Sequence, residues 1–577
     1  MGEKTSAKEE LVRDERVDIP MRDGTLLAAS LTRPSGDGPF PTVLCRTPYD
    51  RTKSIQLTAA ERWACAGYTY LRQDVRGRFD SEGEFYPFRD DPNDGYDSIE
   101  WIAHQDWSDG TVGTAGWSHM GIVQYLTAPT RPPHLTAAIP LVAPVSVYHR
   151  WWYQGGAFRL GFNLAWLILL ARDNLRHFPK RMAKLIEDQE QAWVTAEQMR
   201  NLDIKPLFRK WSPRDYQSIS SVFGNNWFSN FMEHPDYGPF WHAWDFNRQH
   251  AEMETPMLHI GGWYDTFCQG TIDSYVGMKQ NARSKAARKA QRLIMGPWLH
   301  GNQEQREVGE LDFGEGLLEL DPFDAQKRWF DHWLRGVDTG LMKEQPVQIF
   351  VMGENVWRSE EEWPLSRQQL TPYYLHSDGT MNREPPMDES PLTFTYDPAD
   401  PVITLGGCEW VNYPRGPFDQ KPLDGRQDIL RFLTEPLKQD IEVTGQIFAH
   451  VWASSTARDT DITAKLIDVH PDGRAYNVCD GILRGRYRES VERQVLMEPN
   501  ESYKFVIDMW STSNLFRSGH HIRLDISSSN FPRFDVNPNT GYMKFGEPKR
   551  IEKADNTIYF DRDRPTHIVL PIIPRKP

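Results

Sequence analysis

The sequence predicts an α/β protein: a parallel sheet, a helical insertion into it, and an all-β domain after it. Three observations carry that prediction. Apolar strand-like runs alternate with helix-period segments over residues 17–144 and again over 256–341. Between them, residues 145–255 are aromatic and helix-like, and a connection of that length without its own structure is uncommon. From residue 342 to 577 short alternating strands are divided by Pro, Gly and Asp turns, the texture of a sandwich or jelly roll. A chain of 577 residues also exceeds what one core organises.

In order, residues 1–16 are polar and are expected to form a disordered tail. A hairpin is expected next, with strands at 17–21 and 26–32 around the turn Arg22-Asp23-Gly24. A strand at 42–45, a helix at 57–66 closed by Gly67, a strand at 68–72 and a helix at 96–104 follow. The strand at 112–115 runs into Gly116-Trp117-Ser118-His119-Met120-Gly121 and then an apolar helical segment, and 135–142 is the next strand. The insertion carries Arg150-Trp151-Trp152-Tyr153, an apolar run from 158 to 171 and a charged amphipathic stretch at 180–199; it is expected to cap the sheet. Strands at 256–260 and 292–295 and helices at 271–280 and 322–334 resume the alternation. Strands at 347–351, 447–452, 463–468, 503–509 and 522–526 are assigned to the all-β domain.

The composition is that of a soluble globular chain, with 39% hydrophobic and 25% charged residues. A net charge of −14 argues against nucleic acid or an anionic membrane as partner. Five scattered cysteines without metal-ligand spacing read as reduced thiols of a cytoplasmic protein. The first residues lack a signal-peptide core, although Gly2 and Ser6 fit the loose myristoylation pattern. No cofactor or metal is called for: phosphate-binding glycine loops and metal motifs are lacking, and adjacent His520 and His521 on a strand would face opposite ways. Homo-oligomerisation is left open.

The glycine-flanked Ser118 between a strand and a helix has the form of a nucleophile elbow, although glycine stands at 121 where the usual pattern has it at 120. A serine hydroxyl needs a base, and the base an orienting carboxylate. In such a sheet the acid and then the histidine follow the serine, each after a strand. Asp265 in Gly261-Gly262-Trp263-Tyr264-Asp265 and His300 in Gly296-Pro297-Trp298-Leu299-His300 meet both conditions.

These stretches, with Arg46-Thr47-Pro48-Tyr49-Asp50, the loop Asp74-Val75-Arg76-Gly77-Arg78 and the run from Ile526 to Phe534, resemble the cocaine-esterase and X-prolyl dipeptidyl-peptidase group of α/β hydrolases. The resemblance runs from about residue 17 to the end, and that group's elbow is Gly-x-Ser-x-x-Gly, which accounts for Gly121. It implies an α/β-hydrolase domain with a helical cap and a C-terminal jelly roll. It also implies Ser118 as nucleophile, His300 as base, Asp265 as its partner, and an oxyanion hole from the Tyr49 hydroxyl and the His119 backbone N–H. The residue after the serine is usually tyrosine there; the His119 side chain is expected to pack, not to act as a base. Trp152, Trp166 and Phe267 are expected around the acyl group. Related α-amino-acid ester hydrolases carry carboxylates at the positions of Phe267 and Cys268, so an ammonium anchor is not expected there. Glu187, Asp188 and Glu190 are better explained as a solvated helix face, and Asp80 and Glu82 as braces of their own loop.

The expected activity is hydrolysis of an ester or amide of a hydrophobic or aromatic acyl group, a small-molecule substrate, through an acyl-enzyme. X-prolyl dipeptidyl peptidase and acyltransferase use the same triad and stay open, as does an inactive ligand-binding protein on the same scaffold.

Overall fold

The computed structural model describes residues 11–177, 225–410, 414–541 and 550–574. Gly2 and Ser6, the charged stretch at 180–199, and Glu187, Asp188 and Glu190 lie outside the described residues.

A ten-stranded sheet organises the first two thirds of the chain. Its strands are β1 (Leu11–Pro20), β2 (Leu26–Pro34), β3 (Phe40–Thr47), β4 (Thr69–Asp74), β5 (Ser108–Trp117), β6 (Leu135–Leu141), β7 (Leu258–Gly262), β8 (Arg292–Gly296), β9 (Val347–Val351) and β10 (Val356–Glu360). They lie in the order β1-β2-β4-β3-β5-β6-β7-β8-β9-β10, parallel from β4 through β9 and antiparallel at both edges. β4, β7 and β8 are buried along their whole length, as parallel strands covered on both faces must be. The longer helices among the described residues are α1 (Ser54–Cys65), α2 (Asp91–Ala103), α3 (His119–Thr127), α4 (Leu160–His177), α5 (Cys268–Asn281) and α6 (Pro322–Trp333). α1 and α6 meet through Trp63 and Phe330, whose ring centres are 5.3 Å apart. α2 and α3 meet at Gly95, where a Cβ would lie 1.9 Å from Thr127 Oγ1.

Two expectations are corrected. Residues 11–16 are not tail: they form most of β1, paired with β2 and bulged between Asp14 and Val17. This strand reads as polar because it is an edge, and charges such as Arg13, Asp14, Glu15 and Arg16 keep an edge from pairing further. Val347–Val351 does not belong with the all-β domain's sheets: it pairs parallel with β8 and, with β10, extends the central sheet. Local alternation cannot say which sheet a strand joins.

The insertion contributes a π-helical turn at Tyr148–Trp152, α4, and short helices at Trp227–Met232 and Pro239–His242. Its aromatics share one buried cluster with the end of the sheet that carries α3 and Phe267. The C-terminal all-β jelly roll packs a seven-stranded sheet on a four-stranded one around a core that includes Ile447, Leu466, Phe505 and Leu524. Arg150 ties the parts together: its guanidinium pairs with Asp273 of α5 at 2.8 Å and with Asp508 of the jelly roll at 2.9 Å.

Candidate active site

β5 ends at Trp117 and the chain reverses into α3 through Ser118, whose φ of 60° and ψ of −126° are strained for a residue with a Cβ. The neighbours permit the turn. A Cβ on Gly116 would come within 2.5 Å of Met120 Cβ, and one on Gly121 within 2.7 Å of Ala143 Cβ. Gly121 therefore marks the close approach of α3 to the segment after β6, and Met120 is free to be a large core residue. Because α3 starts at His119, its first backbone N–H groups have no intrahelical acceptor and sit beside Ser118.

The loops after β7 and β8 are interlocked. Tyr264 N–H donates to Trp298 O at 3.2 Å, and Trp263 N–H to Gly296 O at 2.8 Å. Only glycine fits at 262, where a Cβ would lie 2.2 Å from Trp298 O. Asp265 and His300 meet there: His300 Nδ1 is 2.7 Å from Asp265 Oδ2, with both side chains buried. A carboxylate oxygen only accepts, so Nδ1 carries the proton and Nε2 is left as the basic nitrogen. The other oxygen, Asp265 Oδ1, accepts from Phe267 N–H at 2.6 Å, so the carboxylate is held at both ends. Arg159, fully buried, donates to Thr266 O at 3.0 Å and also to Thr266 Oγ1, clamping the next residue of that loop from the insertion. Trp117, the residue before Ser118, sets its ring edge-on to His300 at 5.7 Å, which joins the elbow to the histidine loop.

Tyr49 lies across the elbow. Its hydroxyl accepts a 2.9 Å hydrogen bond from Trp166 Nε1, and its ring lies 6.5 Å from that of Trp117, the residue before Ser118. Burial pushes the phenol up to about 12, so it stays protonated and able to donate near neutral pH. The His119 ring is buried between Phe88 and Trp166, with centroids 5.1 Å and 6.2 Å away, and neither ring nitrogen has a hydrogen-bond partner among the described residues. Burial, aided by Arg46 and Arg78, brings its pKa down to about 3, so it packs as a neutral ring and is a poor base.

Phe267 is buried 5.4 Å from His300, edge-on, and Trp166 reaches the site through Tyr49. Trp152 lies elsewhere: its ring neighbours are Phe158, Trp227, Phe228, Phe231 and Trp241, the core of the insertion. Trp151 is the tryptophan that packs beside the other two, 4.8 Å from Trp166 and 5.4 Å from Phe267. The π-helical turn decides which of two adjacent tryptophans faces the site, and no local pattern reveals that register. Phe162 and Trp410, at 6.5 Å and 6.3 Å from His300, complete the aromatic wall. Trp410 comes from the jelly-roll part of the chain and had no motif to flag it. Asp80 and Glu82 do brace their loop, through Arg51 Nη2 at 2.7 Å and Leu26 N–H at 3.0 Å. Cys45 and Cys408 are buried thiols pushed up to about 11 and about 12 by burial, poor competitors as nucleophiles.

A strained serine between a parallel strand and a helix, with a buried histidine–aspartate pair on the loops after β7 and β8 and the histidine ring in contact with Trp117 of the elbow, defines the class: an α/β-fold serine hydrolase. Residues 23–302 match the X-Pro dipeptidyl-peptidase (S15) family, and residues 339–569 match the X-Pro dipeptidyl-peptidase C-terminal non-catalytic domain. The cocaine esterase of Rhodococcus sp. strain MB1 Bresler is 38% identical over 97% of this chain and 98% of its own. An aminopeptidase from a marine sediment archaeon, Thaumarchaeota archaeon, superposes with a TM-score of 0.85 at 25% identity, over 100% of this chain and 98% of that one. An α-amino acid ester hydrolase superposes with a TM-score of 0.82 at 26% identity, over 98% and 97% of the two chains. The chain belongs to the cocaine-esterase and X-Pro dipeptidyl-peptidase (S15) family of serine hydrolases.

Proposed function

We propose that the chain is an esterase for small neutral molecules with a hydrophobic or aromatic acyl group, working through an acyl-enzyme on Ser118. The observation that carries the reading is the 2.7 Å bond from His300 Nδ1 to Asp265 Oδ2, which leaves Nε2 as the nitrogen available for proton transfer, on a ring that touches Trp117 of the elbow. Ser118 Oγ attacks the ester carbonyl carbon and gives its proton to His300 Nε2. The carbonyl oxygen becomes an oxyanion, which the Tyr49 O–H and the His119 backbone N–H stabilise. The carbon–oxygen bond to the leaving alcohol then breaks and the alcohol takes the proton from His300, leaving an acyl ester on Ser118. Water repeats the sequence, giving its proton to Nε2, and releases the acid and the free serine.

Phe267, Phe162, Trp151 and Trp410 surround His300 or its aromatic neighbours, an arrangement suited to a flat apolar acyl group. Phe267 and Cys268, where a related hydrolase would carry carboxylates, offer no charge to a substrate ammonium. The net charge of −14 and the five unpaired cysteines support a cytoplasmic setting without nucleic-acid or membrane partners. Among the described residues no helix is long and apolar enough to cross a membrane.

A fluorophosphonate probe tests the nucleophile: wild type is expected to be labelled and Ser118→Ala not. Equal labelling of the two, or none of wild type, would overturn the assignment. A panel of acetyl, butyryl and benzoyl esters with an Ala-Pro anilide tests the substrate class, with benzoyl esters expected to give the highest kcat/KM. Preference for the Ala-Pro anilide would make the chain an X-prolyl peptidase instead.

A further inference from the structure

Away from this site, the described residues of the jelly roll bring together a carboxylate and two imidazoles: Asp468, His470 and His520. Asp468 is next to last in the strand Asp461–Val469, His470 opens the turn into the strand Ala475–Arg484, and His520 ends the turn before the strand His521–Ser527. The sheet forces the encounter, because Asp461–Val469 lies between the other two strands and pairs Val469 with both Ala475 and His521. The hairpin turn is well made: Pro471 follows His470, Gly473 takes φ of 86°, and His470 N–H donates to Arg474 O at 2.8 Å. Asp468 Oδ1 is 2.8 Å from His520 Nδ1, and Asp468 Oδ2 is 3.8 Å from His470 Nε2. The two imidazole centres are 4.4 Å apart, and one ligand atom from each residue falls within 4.8 Å of the others.

We propose that Asp468, His470 and His520 form a binding site for a divalent transition-metal cation of the zinc type. Two imidazoles with one carboxylate match the preference of zinc, nickel or copper, whereas calcium and magnesium require oxygen ligands. Donors bound at ~2.0–2.2 Å to such an ion lie about 3–3.5 Å from each other, so small side-chain shifts from the observed 2.8 Å and 3.8 Å suffice. On binding, His520 takes the neutral tautomer protonated at Nε2, so that Nδ1 offers its lone pair to the cation, which comes between it and Asp468. The three side chains are partly open, with 11%, 25% and 14% of Asp468, His470 and His520 exposed, so a hydrated ion can enter and keep water ligands. Arg474, on the same hairpin turn, is engaged by Asp472 at 2.6 Å. His521 takes no part: its Nδ1 turns the other way, to Thr434 O at 2.7 Å. Adjacent strand histidines do face apart, and the partners of His520 come from a hairpin far back in the sequence.

The site adds no chemistry to the hydrolase. It staples three segments beside the rung where Ile467 pairs with Asn477, whose carbonyl accepts the Tyr264 hydroxyl at 3.0 Å. Its expected effect is therefore on stability.

The full chain, stripped with chelator and dialysed against zinc(II), should retain one more zinc per wild-type chain than His470→Gln/His520→Gln by elemental analysis. Zinc should raise Tm of wild type and not of the double variant, with kcat/KM for an ester substrate equal in both. Equal zinc in the two proteins, or the same Tm rise in both, would overturn the site. Should the double variant fail to fold, His470→Gln alone is expected to weaken zinc binding by more than ~10-fold, and unchanged affinity would again overturn it.

Discussion

Trp166, on α4 of the insertion, donates its indole N–H to the Tyr49 hydroxyl at 2.9 Å, across the elbow that carries Ser118. The bond occupies a lone pair of the phenol and leaves its proton to point elsewhere. Since burial raises the phenol to about 12, that proton is retained at any working pH. The insertion thereby aims a donor that the sheet loop supplies.

Removing the donor and removing its support should differ in size. Tyr49→Phe is expected to lower kcat by ~10²–10³ with little change in KM, the cost of one oxyanion donor. Trp166→Phe, which keeps the packing and drops the N–H, should lower kcat by less, about three- to tenfold, a fraction of that donor's worth. Steady-state kinetics on one good ester checks both; unchanged kcat in Tyr49→Phe would remove Tyr49 from the oxyanion hole.

Asp265→Asn should leave the fold intact and cost kcat ~10⁴-fold, because an amide can donate to Nδ1 and select the wrong tautomer. The bond at stake is the 2.7 Å contact to His300. Circular dichroism with single-turnover kinetics separates this outcome from misfolding. Near-wild-type turnover would mean that another group orients the histidine.

The aromatic wall should set acyl preference. Phe267→Ala and Trp410→Ala, at 5.4 Å and 6.3 Å from His300, are expected to lower kcat/KM for benzoyl esters more than for acetyl esters. Trp152→Phe, in the core of the insertion, should cost stability and leave the benzoyl-to-acetyl ratio unchanged. A ratio that moves with Trp152 and not with Phe267 would reverse the assignment.

His119 should make the protein acid-sensitive. Its folded pKa of about 3 lies below the ordinary 6.5, so between those values the unfolded chain binds the extra proton. Stability should therefore fall as pH drops below about 6.5, by up to ~1.4 kcal/mol per pH unit from this group. His119→Phe removes that share, so its Tm relative to wild type should rise as pH goes from 7 to 5. A difference that stays flat with pH would show that the imidazole is not the group being titrated.

Much of this site was legible because each part leaves a local trace. A glycine-flanked serine after a strand, and an acid and a histidine each following a strand, are covalent facts in a required order, and the elbow's Gly121 proved to be the steric necessity its spacing suggested. The divide between alternating helix and strand and an all-β remainder was equally visible, because hydrophobic period follows backbone geometry. What the sequence could not rank were positions that look alike locally. Trp151 and Trp152 are neighbours of one type, Val347–Val351 would suit either sheet, and residues 11–16 look disordered because an edge strand is dressed for solvent.

By itself, then, the sequence determined the fold and the class of hydrolase, and it pointed to the hydroxyl, imidazole and carboxylate that the proposed mechanism uses. Only the tertiary structure decided the company they keep. It turned Trp151 inward, brought Trp410 from the jelly roll to His300, hung Tyr49 from Trp166, and drew His470 and His520 around Asp468. Strand order and helix register bring together residues far apart in the chain, and long-range packing, which no local pattern records, sets both.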